Sequence, residues 1–231
     1  MSNIEQNYLT KKDKKLFELI KLGNCKKCRR ILQKGAYIHC INSNNYTPLL
    51  YAISQNNINI MRLLLSKGAN VHNKTNYGMS SILLASSCAN LEIVILLLES
   101  GANINDISQY GYAPIHIACI SNNIDIVEHC LKNGSNIYIK HTETPLLLCA
   151  FYGRKTIIQL LLSYGSNIND NNENEDNVMD ILYRKKHYEC IDTIKRWPTT
   201  MFIIIFIELN IYNILDLSLI CDIYEYSNFI F

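Results

Sequence analysis

Five glycines set the period of this chain. Gly35, Gly68, Gly101 and Gly134 recur every 33 residues, and Gly165 follows after 31. Each closes a similar apolar segment: Leu32-Gln33-Lys34, Leu65-Ser66-Lys67, Leu98-Glu99-Ser100, Leu131-Lys132-Asn133 and Leu162-Ser163-Tyr164. Glycine ends a helix in the left-handed conformation without steric cost, so each one reads as a helix stop. A unit of this length cannot bury an apolar face alone. Repetition therefore predicts stacked units sharing one interior rather than a globular domain.

The segments before these glycines open alike. Thr47-Pro48-Leu49-Leu50, Ala113-Pro114-Ile115-His116 and Thr144-Pro145-Leu146-Leu147 stand 21 residues ahead of Gly68, Gly134 and Gly165, and Ser80-Ser81-Ile82-Leu83 stands 21 ahead of Gly101. A threonine hydroxyl caps a helix N-terminus, and proline fits its first position. A small residue and Asn follow four of the glycines: Ala69-Asn70, Ala102-Asn103, Ser135-Asn136 and Ser166-Asn167. One helix per unit carries small residues (Ala52, Ala85, Ala118, Cys149 and Ala150). The next carries an apolar stripe, such as Ile58, Ile60, Met61, Leu64 and Leu65, or Leu91, Ile93, Val94, Leu97 and Leu98.

These motifs resemble the ankyrin repeat. The resemblance implies an all-α solenoid of stacked helix pairs with β-hairpin fingers, plus a C-terminal helical segment. Repeats are expected at about 42–74, 75–107, 108–140 and 141–171, with degenerate units at about 12–41 and 172–196. Residues 1–11 are expected to form a flexible N-terminus. Lys11, Lys12, Lys14 and Lys15 are read as a polar outer face for the first unit. The fourth finger, between Lys140 and Thr144, is two residues short.

Other chemistry finds little purchase. Cys25-x-x-Cys28 with His39 and Cys40 has the look of a zinc site, but Cys25 and Cys28 fall in phase with Ile58 and Met61, where a reduced thiol packs as a small hydrophobe. His116 takes the position of the family's structural histidine. Cys119 and Cys149 read as packing. No triad, phosphate-cradling loop or metalloprotease motif stands out, so neither catalytic residues nor cofactors are expected. The formal net charge of +2 gives no pointer to nucleic acid, although a basic stretch runs through Lys26, Lys27, Arg29 and Arg30. An acidic finger, Asp170 to Asn177, is read mainly as solvated. The polar first residues lack the apolar core of a signal peptide, and the longest apolar run, Met201 to Ile207, is far short of the ~20 residues of a membrane span. An intracellular, cytoplasmic protein is expected, the nucleus being possible, with its nine cysteines reduced. The Asn- and Ile-rich style resembles ankyrin proteins of large DNA viruses or A+T-rich protists.

From Trp197 the pattern changes, and Pro198 breaks the preceding helix. Residues 197–231 are expected to form two helices that cap the array, dock a partner or self-associate. Some ankyrin proteins of ubiquitin ligases end in a recruiting motif, which makes a substrate adaptor the alternative function. Trp197-Pro198-Thr199-Thr200 lacks the acidic residue of an F-box opening.

The family resemblance implies a protein partner, held by finger tips and the exposed face of the first helices. In phase, those positions are Asn44, Tyr46, Tyr77, Met79, Tyr110, Tyr112 and Glu143 on the fingers, with His141 beside Glu143. On the helices they are Gln55, Cys88, Ser121, Phe151 and Tyr152, flanked by Ser54, Ser87 and Ile120. Aromatic and Met side chains supply large contact area at low entropic cost.

Overall fold

A computed structural model describes residues 9–139 and 143–196. These residues form twelve α-helices in six consecutive pairs. The first helix of each pair is α1 (Lys11–Lys21), α3 (Pro48–Ser54), α5 (Ser81–Ser87), α7 (Pro114–Ile120), α9 (Pro145–Tyr152) and α11 (Val178–Lys185). The second is α2 (Cys25–Gln33), α4 (Ile58–Ser66), α6 (Leu91–Glu99), α8 (Ile124–Lys132), α10 (Lys155–Ser163) and α12 (Tyr188–Lys195). The expected helices of residues 197–231 lie outside the described residues. The first helix starts inside the segment expected to be flexible: Thr10 and Asp13 form a capping box, so Lys11 is already helical.

Each helix pair turns at one left-handed residue: Gly23, Asn56, Ala89, Asn122, Gly153 or Lys186. The following Asn24, Asn57, Asn90 or Asn123 caps the second helix, its side-chain oxygen accepting the backbone N–H of Lys27, Ile60, Ile93 or Ile126. The amide nitrogen of the same side chain serves the neighbouring repeat. Asn90 Nδ2 donates to Asn56 Oδ1 at 2.7 Å, and Asn123 Nδ2 donates to the Ala89 carbonyl at 3.3 Å. In the last two pairs Arg154 and His187 replace the asparagine. They keep the link between repeats, to the carbonyls of Ile120 (2.9 Å) and Phe151 (3.2 Å), but not the cap.

The interior is continuous from α1 to α12. Ile60, Ile93, Ile126 and Ile157 recur in phase and are fully buried between neighbouring repeats. Ala52, Ala85, Ala118 and Cys149 are also fully buried, and their small volume lets the first helices approach closely. The first helices pack more tightly on one another than the second helices do, so the array curves toward the first row. Ile58, Leu65, Leu91 and Leu98 are only partly buried, because they lie at the margin of the second helices. At the N-terminal end Lys27 stands in phase with the buried isoleucines, and Arg30 with Leu63. Both are exposed, whereas Ile60 and Leu63 are buried against the neighbouring repeat. The polar end face thus includes α2 as well as the lysines of α1.

The fingers are not β-hairpins within the described residues, which contain no strand and one isolated bridge between Lys74 and Ser80. They are closed five-residue turns. The backbone N–H of Asn42, Thr75, Ser108 and Asn172 donates to the carbonyl of Tyr46, Met79, Tyr112 and Asp176, each at 3.0 Å. The side-chain oxygens of those first residues accept amides inside the same turn. The fourth residue is left-handed: Asn45, Gly78, Gly111 or Glu175. The residue after each turn is already a helix N-cap, which leaves no chain for a paired strand.

Candidate functional site

The candidate surface is built by turns and helix ends that the repeat places side by side. Neighbouring fingers bond directly. The Gln109 N–H donates to the Tyr77 carbonyl at 3.4 Å, and Asn45 Nδ2 donates to the Lys74 carbonyl at 3.3 Å. A Cβ added at Gly78 would lie 2.8 Å from the Gln109 nitrogen, so these two tips need glycine for their approach as well as for its φ. Tyr77 and Tyr110 occupy the third position of adjacent turns and are 61% and 57% exposed. Tyr112 closes the second of these turns, and its ring stands edge-on to His116 at 6.1 Å.

His116 fixes this region. Its Nδ1 accepts the N–H of the N-cap residue Ala113 at 3.1 Å, whereas Thr47 and Thr144 cap α3 and α9 by accepting the amides of Leu50 and Leu147. The proton therefore resides on Nε2, which donates to the Ile139 carbonyl at 3.1 Å. Burial pushes its pKa down. The histidine is a strut between repeats.

Four expected contact residues are less available than their spacing suggests. Tyr46 is half-buried, its ring packed edge-on to Tyr51 at 6.4 Å. Met79 packs against the core. Cys88 is half-buried and points its thiol at the Ile53 carbonyl, 3.5 Å away. Glu143 is half-buried, and His141 lies outside the described residues. By contrast, Asn44, Gln55 and Ser121 are exposed, although Ser121 Oγ is engaged by the Ile117 carbonyl at 2.9 Å.

Phe151 and Tyr152 are exposed at the end of α9 and meet edge-to-face at 5.1 Å. Cations of the neighbouring turns flank them. Lys185 Nζ stands 3.8 Å over the Phe151 ring, and the Arg154 guanidinium lies 5.6 Å from the Tyr152 ring. Such cation–π contacts hold the rings in place while leaving an edge free. A shallow cavity of about 280 Å³ lies next to them, lined in part by Gly153, Lys186, His187 and Tyr188.

Spacing alone missed two sets of exposed apolar residues. Leu22, 73% exposed, stands in phase with Gln55, Cys88, Ser121 and Tyr152. Ile41 and Ile107 precede the first and third fingers at one repeat position, which Lys74 fills between them, and Tyr138 precedes the fourth; all three apolar side chains are exposed. Leu22, Ile41 and Ile107 obey the 33-residue phase, which was the available signal, whereas Tyr138 stands in phase with Asn105.

The zinc-like cysteines behave as packing. Cys28 is fully buried, and burial pushes its thiol up to about 11; Cys40 is pushed up to about 12, mainly by burial. Cys25 points toward the Asn59 carbonyl. Among the described residues no group of three or more His, Cys, Asp or Glu is placed to hold a metal ion.

A family model for ankyrin repeats, three copies in length, matches residues 16–108 and again 105–172. No curated protein matches the chain. Six stacked helix pairs, five of them with a glycine closing the second helix, together with a family match over more than half the sequence, show that the chain belongs to the ankyrin-repeat family.

Proposed function

We propose that this protein is a non-enzymatic interaction module that holds a protein partner across its finger tips and the exposed ends of its first helices. Ankyrin repeats are generally protein–protein interaction modules. The observation that carries the finer reading is the run of exposed aromatic side chains: Tyr77, Tyr110 and Tyr112 on two turns that hydrogen-bond to one another, and Phe151 and Tyr152 at the end of α9. Rigid backbone beneath exposed rings lowers the entropy lost on binding. The solvated aromatic edges offer dispersion area and, through the tyrosine hydroxyls, hydrogen bonds.

Phe151 and Tyr152 with Lys185 and Arg154 add positive charge beside apolar surface. That combination suits a partner segment in which apolar residues are flanked by carboxylates.

The test replaces Tyr77, Tyr110 and Tyr112 together with Ala. Partners are first captured on the wild-type full chain, and the affinity of a recovered partner is then measured for both proteins. A loss of at least about tenfold, with the unfolding midpoint preserved, is expected. Unchanged affinity in a folded variant removes this surface from consideration.

A further inference from the structure

Charge is segregated along the array. Between residues 9 and 41 there are ten Lys and Arg against two Asp and Glu, although the whole chain carries only +2. Of the two acids, Asp13 is consumed by its capping box and Glu18 pairs with Lys15. Lys26, Lys27, Arg29 and Arg30 cover the exposed side of α2, and none of them meets a carboxylate among the described residues. Elsewhere ion pairs link Arg62 with Glu92, Lys74 with Asp106, Lys132 with Glu128 and Lys155 with Glu189.

An end face must be polar to stay solvated, and charges of both signs would serve. A single sign adds self-repulsion, which an anionic partner relieves. The last finger carries the complementary sign locally, ahead of a helix pair that holds Arg184, Lys185, Lys186, Lys195 and Arg196. The last finger holds Asp170, Glu173, Glu175 and Asp176 with no Lys or Arg between them, and the chain beyond Trp197 has four acids and no Lys or Arg. Glu173 and Glu175 are exposed at the tip of a closed turn, while Asp176 is held by Arg184.

We propose that the cationic face of α2 binds the acidic finger of a second copy of this chain. Helices of adjacent repeats stack about 10 Å apart, so α2 and the last finger lie roughly 50 Å apart and do not meet within one molecule. The two patches differ, so the contact is head-to-tail and builds an open chain or a closed ring. The α2 helix carries no aromatic side chain for base stacking, which favours a projecting acidic loop over a single-stranded nucleic acid. The contact leaves Tyr77, Tyr110 and Tyr112 uncovered and is independent of the partner surface proposed above.

The experiment is sedimentation of the full chain at about 20 mM and about 500 mM salt, which changes the screening length severalfold. Two variants are compared: one with Lys26, Lys27, Arg29 and Arg30 changed to Glu, and one with Glu173 and Glu175 changed to Lys. All six positions are exposed, and circular dichroism checks that both variants fold. The expected result is concentration-dependent association of the wild type at low salt, weakened at least about tenfold at high salt. Each variant alone is monomeric, and mixing the two restores association. A wild type that stays monomeric at low salt overturns the proposal. So does association that survives in both variants or at high salt, which would place the interface on apolar surface. A wild type that remains monomeric but binds a DNA duplex or anionic vesicles assigns the patch to phosphate instead.

Discussion

Replacing Asn123 separates the two tasks that the structure gives it. Its side-chain oxygen accepts the Ile126 N–H at 3.0 Å and caps α8, and its amide nitrogen donates to the Ala89 carbonyl of the preceding repeat at 3.3 Å. Loss of a helix cap costs about 1 kcal/mol. Loss of a neutral hydrogen bond between repeats costs about 0.5–1 kcal/mol. Asn123→Ala removes both and is expected to cost about 1.5–2 kcal/mol, the sum of the two. Asn123→Ser keeps a capping oxygen but is too short to reach Ala89, so only the smaller cost of about 0.5–1 kcal/mol remains. Urea unfolding monitored by circular dichroism reads both values, with the slope required to stay constant so that the midpoint shift reports stability. The two variants unfolding at the same midpoint would refute the argument, because the cap would then contribute nothing. A serine variant as stable as wild type would refute the other half, because the bond to the neighbouring repeat would be inert.

Two further expectations concern the backbone and pH. Ala89 and Lys186 occupy left-handed positions that Gly23 and Gly153 fill elsewhere. Ala89→Gly and Lys186→Gly should each stabilise the array by up to about 1 kcal/mol, the steric cost of a side chain in that conformation less the added freedom of the unfolded chain. A fall in the thermal midpoint of either variant would count against it. His116 has its pKa lowered by burial below its usual 6.5. As pH falls through that usual value the unfolded chain takes up a proton that the folded chain refuses. Stability should therefore drop from neutral pH downward and level off below the folded pKa. Urea midpoints between pH 7.5 and 5 should show a shallower decline in His116→Leu, because Leu50, Leu83 and Leu147 fill the same phase in neighbouring repeats; equal declines would remove His116 as the cause.

How much could be read in advance follows from what periodicity encodes. The 33-residue spacing of Gly35, Gly68, Gly101 and Gly134 determined the helix pairs, their order and the buried isoleucines, because a solenoid repeats local contacts and each residue meets mainly its own and adjacent units. It also marked Cys28 as packing, in phase with Met61, while the role of His116 between repeats came from the resemblance to the ankyrin motif. Exposure of individual contact residues was settled only in three dimensions. Tyr46, Met79 and Cys88 share their phase with exposed side chains, yet each turns inward onto a neighbour that spacing does not specify. The fingers carried turn residues that any hairpin would use, and only the immediate start of the next helix ruled out strands. The asparagine ladder likewise needed the stacked coordinates, because a capping side chain has a second hydrogen-bonding group whose partner lies 34 residues away in sequence.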